Sequence, residues 1–301
     1  MSNPPRTAVI GLGSMGYGMA ASLLRAGHDT LGVDMDAART QRFIGEGGRA
    51  DSLADAANTL ECVVIVVLNA AQTESVLFDE AVGIVPQLSP GACVVACATV
   101  PPTAARELAA RCEALGVHYL DAPISGGSLK AASGELTIMA AGSAEAFSAA
   151  RSALEAMSAK VFDLGEAAGA GSAMKAVNQM LAGVHIAAMA EALTFGMTQG
   201  VEPERFLEII SQCAGTSWIL ENRAPHIVAG DYSPRSSVDI WPKDLGIVLD
   251  MAKQAKFAAP ITAAALQQFL AASGSGLGAE DDAAVAKVYA RNAGLTLPER
   301  R

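Results

Sequence analysis

A chain of 301 residues with 51% hydrophobic content is long enough for two domains, each with its own core. The formal net charge is -10 and the 21 Lys and Arg residues form no basic run, which argues against a nucleic-acid or anionic-membrane surface and for a small-molecule ligand. The five cysteines (Cys62, Cys93, Cys97, Cys112 and Cys213) are scattered, with no CxxC and no metal-site spacing, so a reducing cytoplasm and no bound metal are expected.

The first six residues lead straight into a strand-like segment rather than a targeting sequence, and the protein is expected to stay where it is made. Thr7 to Gly11 is a short apolar strand. It enters Gly11-Leu12-Gly13-Ser14-Met15-Gly16 and then a helical pattern that ends at Ala26-Gly27. The glycines differ in what they allow. Gly11 permits the tight turn, Gly13 lets backbone approach a pyrophosphate, and Gly16 lets helix pack on strand. Amides at the helix N-terminus complete a phosphate cradle. A second strand, Asp29 to Val33, ends in Asp34, 18 residues after Gly16, where a ribose-binding acid belongs. Its carboxylate accepts hydrogen bonds from the adenosine 2'-hydroxyl and repels a 2'-phosphate, so the cofactor is predicted to be NAD rather than NADP. Arg39 and Arg42 stand close by, and either could reach a 2'-phosphate.

Further short strands alternate with helical segments: Cys62 to Leu68, Ala92 to Ala98, Val117 to Leu120, Leu136 to Ala141 and Lys160 to Leu164. This pattern predicts an α/β domain over 1–168, a Rossmann-type doubly wound sheet that is mostly parallel. Ligands sit beyond the carboxyl ends of such strands, which draws Leu68, Asn69, Thr99 and the segment from Asp121 onward to the cleft. After Gly171 only helical patterns remain, and they predict an all-α domain over 169–301. A long helix of about 172–199 is expected to join the two. Residues 176–195 approach membrane-span length, but Asn178, Gln179, His185 and Glu191 interrupt them, which favours a helix buried in the protein or in a dimer over a bilayer span.

Chemistry concentrates on the start of that helix. Lys175 is placed by the pattern in its first turn, where the macrodipole disfavours a cation, and Asn178 follows three residues later on the same face. Asp121-Ala-Pro-Ile-Ser125-Gly126-Gly127 has two readings: a nest of amides for a carboxylate, or a tight turn that needs glycine for positive φ. Lys243, just after Pro242, is either a second active-site cation or a solvated lysine.

Together GLGSMG, DAPISGG, GSAMKAVN and KDL, in this order and across essentially the whole chain, resemble the β-hydroxyacid dehydrogenase family. The resemblance implies NAD(P)-dependent oxidation of a small hydroxyacid. It assigns Ser125, Gly126 and Gly127 to the substrate carboxylate, Lys175 to acid/base catalysis, Asn178 to substrate orientation, and Lys243 to a place beside the cofactor. Leu68, Asn69 and Thr99 fall at the cofactor. The chain departs from the family twice, with Ala98-Thr99 where Ser-Thr is common and Asn69 where many members carry Pro; an amide at 69 could touch nicotinamide or substrate. A homodimer or homotetramer through the long helix is implied as well.

The runs 181–188, 217–223 and 230–240, with Leu68 to Gln72, narrow the resemblance to members that oxidise four-carbon sugar acids. Asn69, Ser125, Asn178, Trp218, Asn222 and Arg223 are the candidate polar partners, although Trp218 reads first as a packing aromatic. To act as base Lys175 must be neutral, and desolvation, the helix N-terminus and Lys243 are each expected to lower it from the free-lysine value of about 10.4. A non-catalytic NAD-binding sensor or scaffold is the alternative from another class; the retained lysine weighs against it.

Overall fold

The strands are short and apolar on both faces, and this dictates a sheet covered on both sides. The computed structural model describes residues 4–300. In it β1 (Arg6–Ile10), β2 (Asp29–Val33), β3 (Cys62–Ile65), β4 (Cys93–Ala96) and β5 (His118–Asp121) form a parallel sheet in the order β2-β1-β3-β4-β5. Alternate residues of one strand feed opposite cores: Val9, Val64, Val95 and Leu120 on one side, Ala8, Ile65, Val94 and Tyr119 on the other. The helices in this part are α1 (Gly16–Arg25), α2 (Ala37–Gly45), α3 (Leu53–Ala56), α4 (Ala70–Phe78), α5 (Pro102–Glu113), α6 (Gly127–Ser133) and α7 (Ala144–Met157). Met19 and Leu23 of α1 and Leu154 of α7 close the first core, while Leu108 and Cys112 of α5 close the second. The strand order reverses between β1 and β3, the switch point where such sheets bind ligands.

The later strands do not extend this sheet. β6 (Ile124–Ser125), β7 (Leu136–Ala140) and β8 (Ser158–Asp163) form a second sheet, with β6 antiparallel and β8 parallel to β7. An isolated antiparallel bridge, Asp121 with Ala141, joins the two. Pro123 lacks a backbone donor and separates β5 from β6. At two residues β6 is too short to leave a periodic signal, so the sequence pattern alone shows one run of strands where there are two sheets.

A buried pair lies at the base of β1: Thr7 Oγ1 and His28 Nδ1 are 2.9 Å apart. Burial pushes the His28 imidazole below its ordinary value, opposed by the Ser152 backbone and Glu61. The unfolded chain therefore takes up the proton first as pH falls below about 6.5, and stability drops in that window. His28→Gln is expected to flatten the fall of Tm between about pH 7 and 5, read by thermal melts of both proteins.

The chain divides into two compact units, Met1–Lys175 and Ala176–Arg301, and the division falls within α8 (Ala170–Thr198). The second unit continues with α9 (Pro203–Ile210), α10 (Trp218–Val228), α11 (Ile240–Gln254), α12 (Pro260–Ala272) and α13 (Ala286–Asn292). By length and composition α8 could cross a membrane, but Ile186, Met189 and Leu193 are buried in a core with Phe206, Leu220, Trp241, Leu245 and Phe269. Gly183 permits a close helix crossing, since a Cβ there would lie 3.0 Å or less from the Trp241 and Leu245 side chains.

A buried ion network that hydrophobic periodicity cannot reveal also holds this unit. Asp282 accepts from Arg223 Nε at 2.6 Å and from Trp241 Nε1 at 3.0 Å, and Asp281 meets His226 Nδ1 at 2.8 Å. These two acids lie just ahead of the last helix. The α-helix there begins only at Ala286, after a tighter turn over Asp282–Val285.

Candidate active site

The glycine loop has the shape its sequence asks for. A Cβ on Gly11, whose φ is +98°, would lie 2.2 Å from the Val66 carbonyl oxygen, and one on Gly16 would lie 1.8 Å from that of Gly11. Both positions are closed to any side chain. Gly13 differs: within 4 Å its Cβ would meet only Arg39 Nη1, at 4.0 Å, so its outer face is open. Ser14 and Met15 complete the turn, and α1 starts at Gly16 with no side-chain cap on its N-terminal amides. An open glycine face beside uncapped amides fits a pyrophosphate.

Asp34 is mostly buried at the end of β2 and links this loop to the next turn. Its Oδ2 accepts from Leu12 N at 2.7 Å, and its Oδ1 accepts from Asp36 N at 2.8 Å. The two arginines separate here. Arg39 Nη1 stands 3.6 Å from Asp34, whereas Arg42 pairs with Glu46 and lies over the Tyr17 ring. Arg39 is thus the arginine within reach of the ribose acid.

Leu68 and Asn69 follow β3, and Thr99, partly buried, follows β4. Leu68 is exposed and donates its amide to Gln72 Oε1 at 3.0 Å. Asn69 caps α4, its Oδ1 accepting from Gln72 N at 2.9 Å. The side-chain oxygen of Asn69 is therefore held by the helix, and its NH2 group is available to a ligand.

Asp121 is a residue whose importance the sequence pattern does not announce. It lies buried at the end of β5, where Oδ2 accepts from Gly169 N at 2.8 Å and Ser172 N at 2.9 Å, and Oδ1 accepts from Ser172 Oγ at 2.7 Å. Burial pushes its carboxyl above the ordinary range, and the hydrogen bonds from Ser172, Gly169 and Gly171 oppose that rise. A strand-end carboxylate thus caps the N-terminus of α8, where orphan amides and the positive end of the dipole favour it. Gly171 is needed for the approach, because its Cβ would lie 2.5 Å from the carbonyl oxygens of both Asp121 and Met139.

Lys175 is not in the first turn of α8. The helix begins at Ala170, which makes Lys175 its sixth residue, in the second turn, where the macrodipole has largely faded. Burial is what singles it out: the residue is 9% exposed, and its Nζ donates to the Ile124 carbonyl at 2.8 Å. Ile124 immediately precedes Ser125, so the ammonium and the 125–127 loop are held by one backbone segment. Gly126 (φ +136°) and Gly127 (φ +78°) both occupy conformations that favour glycine, and a Cβ on Gly127 would meet nothing within 4 Å. The turn reading is thereby satisfied, and the same geometry leaves room for a carboxylate.

In the second unit Asn178 Nδ2 donates to Gln179 Oε1 at 3.0 Å, and Gln179 Nε2 donates to Asp244 Oδ2. Lys243, the fourth residue of α11, lies 2.6 Å from Asp244 Oδ1. Lys243 thus meets the buried Asp244 carboxylate directly, and Asn178 is linked to it through Gln179. Of the other polar candidates, Arg223 is turned onto Asp282 and onto the side-chain oxygen of Asn222. Trp218 is 54% exposed in the first turn of α10 and is not a packing aromatic.

Comparison with known proteins places this geometry in context. The NAD binding domain of 6-phosphogluconate dehydrogenase matches residues 6–165, and the domain described as NAD-binding of NADP-dependent 3-hydroxyisobutyrate dehydrogenase matches residues 169–289. The chain is similar to L-threonate dehydrogenase of Cupriavidus necator, with 50% identity over 96% of this chain and 97% of the relative. It is also similar to L-threonate dehydrogenase of Escherichia coli K12, with 44% identity over 96% and 95%. A solved structure titled 3-hydroxyisobutyrate dehydrogenase from Salmonella typhimurium superposes with a TM-score of 0.89 at 43% identity, covering 94% of this chain and 99% of that one.

Proposed function

The chain belongs to the β-hydroxyacid dehydrogenase family and is an NAD-dependent hydroxyacid oxidoreductase; from that premise we propose that it oxidises L-threonate to 2-oxo-tetronate. The observation that carries the substrate is the near full-length likeness to enzymes named for L-threonate. The polar candidates Ser125 and Asn178 suit a polyhydroxy acid, whereas a branched aliphatic acid wants apolar walls.

In this reading Gly11 to Gly16 hold the pyrophosphate, Asp34 holds the adenosine ribose, and Leu68, Asn69, Thr99 and Lys243 flank the cofactor. Bound NAD supplies acceptance of a hydride, which comes from the C2 carbon of the acid. The 125–127 loop holds the carboxylate through its amides and the Ser125 hydroxyl. Lys175, as the neutral amine, takes the C2 hydroxyl proton, so the C–H and O–H bonds break as the C=O bond forms. The Ile124 carbonyl aims that amine by holding one of its protons. Asn178, three residues along α8, belongs to the same substrate. The exposed apolar residues Met174, Val177, Leu181 and Phe195 on α8 support assembly with a second copy as a homodimer or homotetramer. Five free cysteines, four of them buried, suit the cytoplasm.

The testing experiment follows NADH formation at alkaline pH over C3 to C6 sugar acids, including both threonate enantiomers, erythronate and 3-hydroxyisobutyrate. Turnover selective for L-threonate is expected; turnover confined to aliphatic hydroxyacids would sink the assignment. Cofactor choice has its own expected result. Asp34→Ala removes the carboxylate beside Arg39, so the ratio of kcat/KM with NADP to that with NAD should rise by about tenfold or more, equivalent to ~1.4 kcal/mol. An unchanged ratio would show that Arg39 does not reach the 2'-phosphate.

A further inference from the structure

We infer that Ser22 and Arg25 of α1 are positioning residues for the 125–127 loop, which they hold through the far end of α6, given the reading of that loop as the seat of the substrate carboxylate. The loop secures itself weakly. Gly126 (φ +136°) and Gly127 (φ +78°) are adjacent, and glycine gives up more conformational freedom on folding than any other residue. On its entering side the loop is tied to β7 by the two residues of β6. On its leaving side it runs directly into α6, which at seven residues is far below the length at which a helix holds itself in water. α6 has no side-chain N-cap, and the residue it buries is Ala131, whose single methyl group removes little apolar area from water. What fixes α6 must come from a neighbour.

That neighbour is α1. At Gly18 the two backbones meet: a Cβ there would lie 2.6 Å from Ala132 N and 2.8 Å from the Ala131 carbonyl carbon. One turn further along α1, Ser22 is buried, 3% exposed, and its Oγ donates to the Ala131 carbonyl at 3.0 Å. Arg25 Nη2 lies 2.8 Å from the same Oγ and also donates to the Ala132 carbonyl. A guanidinium only donates, so Ser22 accepts from Arg25 and gives its own proton to α6. The directions form one chain, from Arg25 to Ser22 to Ala131. Carbonyls in the last turn of a helix lack intrahelical partners and carry the negative end of its dipole, so a hydroxyl and a guanidinium are groups they favour.

This clamp reaches the substrate. α1 begins at Gly16, in the glycine turn assigned to the cofactor, so one ten-residue helix serves the pyrophosphate at its head and anchors the helix of the substrate loop along its side. A carboxylate is unchanged while the neighbouring carbon is oxidised, and a loop that binds it does so equally in the ground and transition states. Loosening the clamp therefore shows in KM rather than in kcat.

The test is steady-state kinetics of the full protein with L-threonate, or with whichever acid of the sugar-acid panel the wild type turns over, beside titration of NAD. Ser22→Ala should raise KM for the acid by about threefold to tenfold, the net worth of one buried hydrogen bond, with kcat and the Kd for NAD each moving by about twofold or less. Ser22→Thr keeps the hydroxyl and should bring KM back to within about twofold of wild type. A contact that only stabilises the fold would lower Tm and the active fraction of Ser22→Ala, and with them kcat, at unchanged KM; that result overturns the inference. Ser125→Ala alters the loop itself and separates the two readings. KM raised in Ser125→Ala but not in Ser22→Ala overturns the clamp and keeps the carboxylate at 125–127, whereas KM unmoved in both variants overturns both.

Discussion

Lys175→Ala lowers kcat for the hydroxyacid by about 10²- to 10⁴-fold, the usual worth of a positioned acid/base group, while NAD still binds. Binding is read by titrating the cofactor into the variant, and turnover by initial rates of NADH formation. Lys175→Arg should be nearly as inactive, because a guanidinium keeps its proton across the accessible pH range. In wild-type protein kcat should rise with pH as the ammonium gives up its proton, and that rising limb should vanish with the lysine. Near-normal turnover by Lys175→Ala with cofactor binding intact would remove Lys175 from the chemistry. The structural ground is its burial and its bond to the Ile124 carbonyl, one residue ahead of the 125–127 loop.

Asp121→Ala costs about 2–4 kcal/mol of stability, because two amides and one hydroxyl at the head of α8 lose a buried acceptor. Relief of the buried charge offsets part of the loss, which keeps the figure below the sum of three broken bonds. Asp121→Asn should recover much of it. Its side-chain oxygen can accept from both amides, and its NH2 can donate to Ser172 Oγ. The pH dependence has an unusual sign. Burial raises the folded-state carboxyl above its unfolded value of about 3.9, so the folded protein holds the proton more tightly. This residue alone therefore adds stability as pH falls from its folded value toward ~3.9, and withdraws it as pH rises again. Urea melts of wild type and Asp121→Asn at several pH values check this: the acid-side gain should be missing from the variant. Because α8 carries Lys175, Asp121→Ala should also slow turnover in whatever fraction stays folded; unaltered stability and rate would mean that the cap does not set the helix.

The parts of this site legible in sequence are those whose chemistry is local. Gly11 and Gly16 are forced by backbone approaches of 2.2 and 1.8 Å, and only glycine survives such closeness, so the spacing is written into the chain. Asp34 could be found by counting from them. The sequence pattern puts Lys175 in the first turn of α8, but its place in the second turn removes most of the dipole argument and leaves burial to single it out. The exposure of Trp218 is not legible in sequence, because an aromatic at a helix start looks the same whether it faces a core or solvent.

Asp121, Gln179 and Asp244 are acceptors or donors whose partners lie 48, 51 and 65 residues away along the chain, and no periodicity carries that information. The same holds for the Arg223–Asp282 pair, closed across 59 residues. By itself the sequence determined the parallel sheet with its glycine turn, the helical second half and the family, because apolar periodicity and glycine spacing express short-range sterics. The tertiary structure alone decided that Asp121 heads the helix bearing Lys175, that Arg39 rather than Arg42 stands at Asp34, and that Gln179 bridges Asn178 to Asp244. Each of these is a matter of hydrogen-bond direction or charge pairing between distant segments, and such partners are chosen only once folding has excluded water from between them.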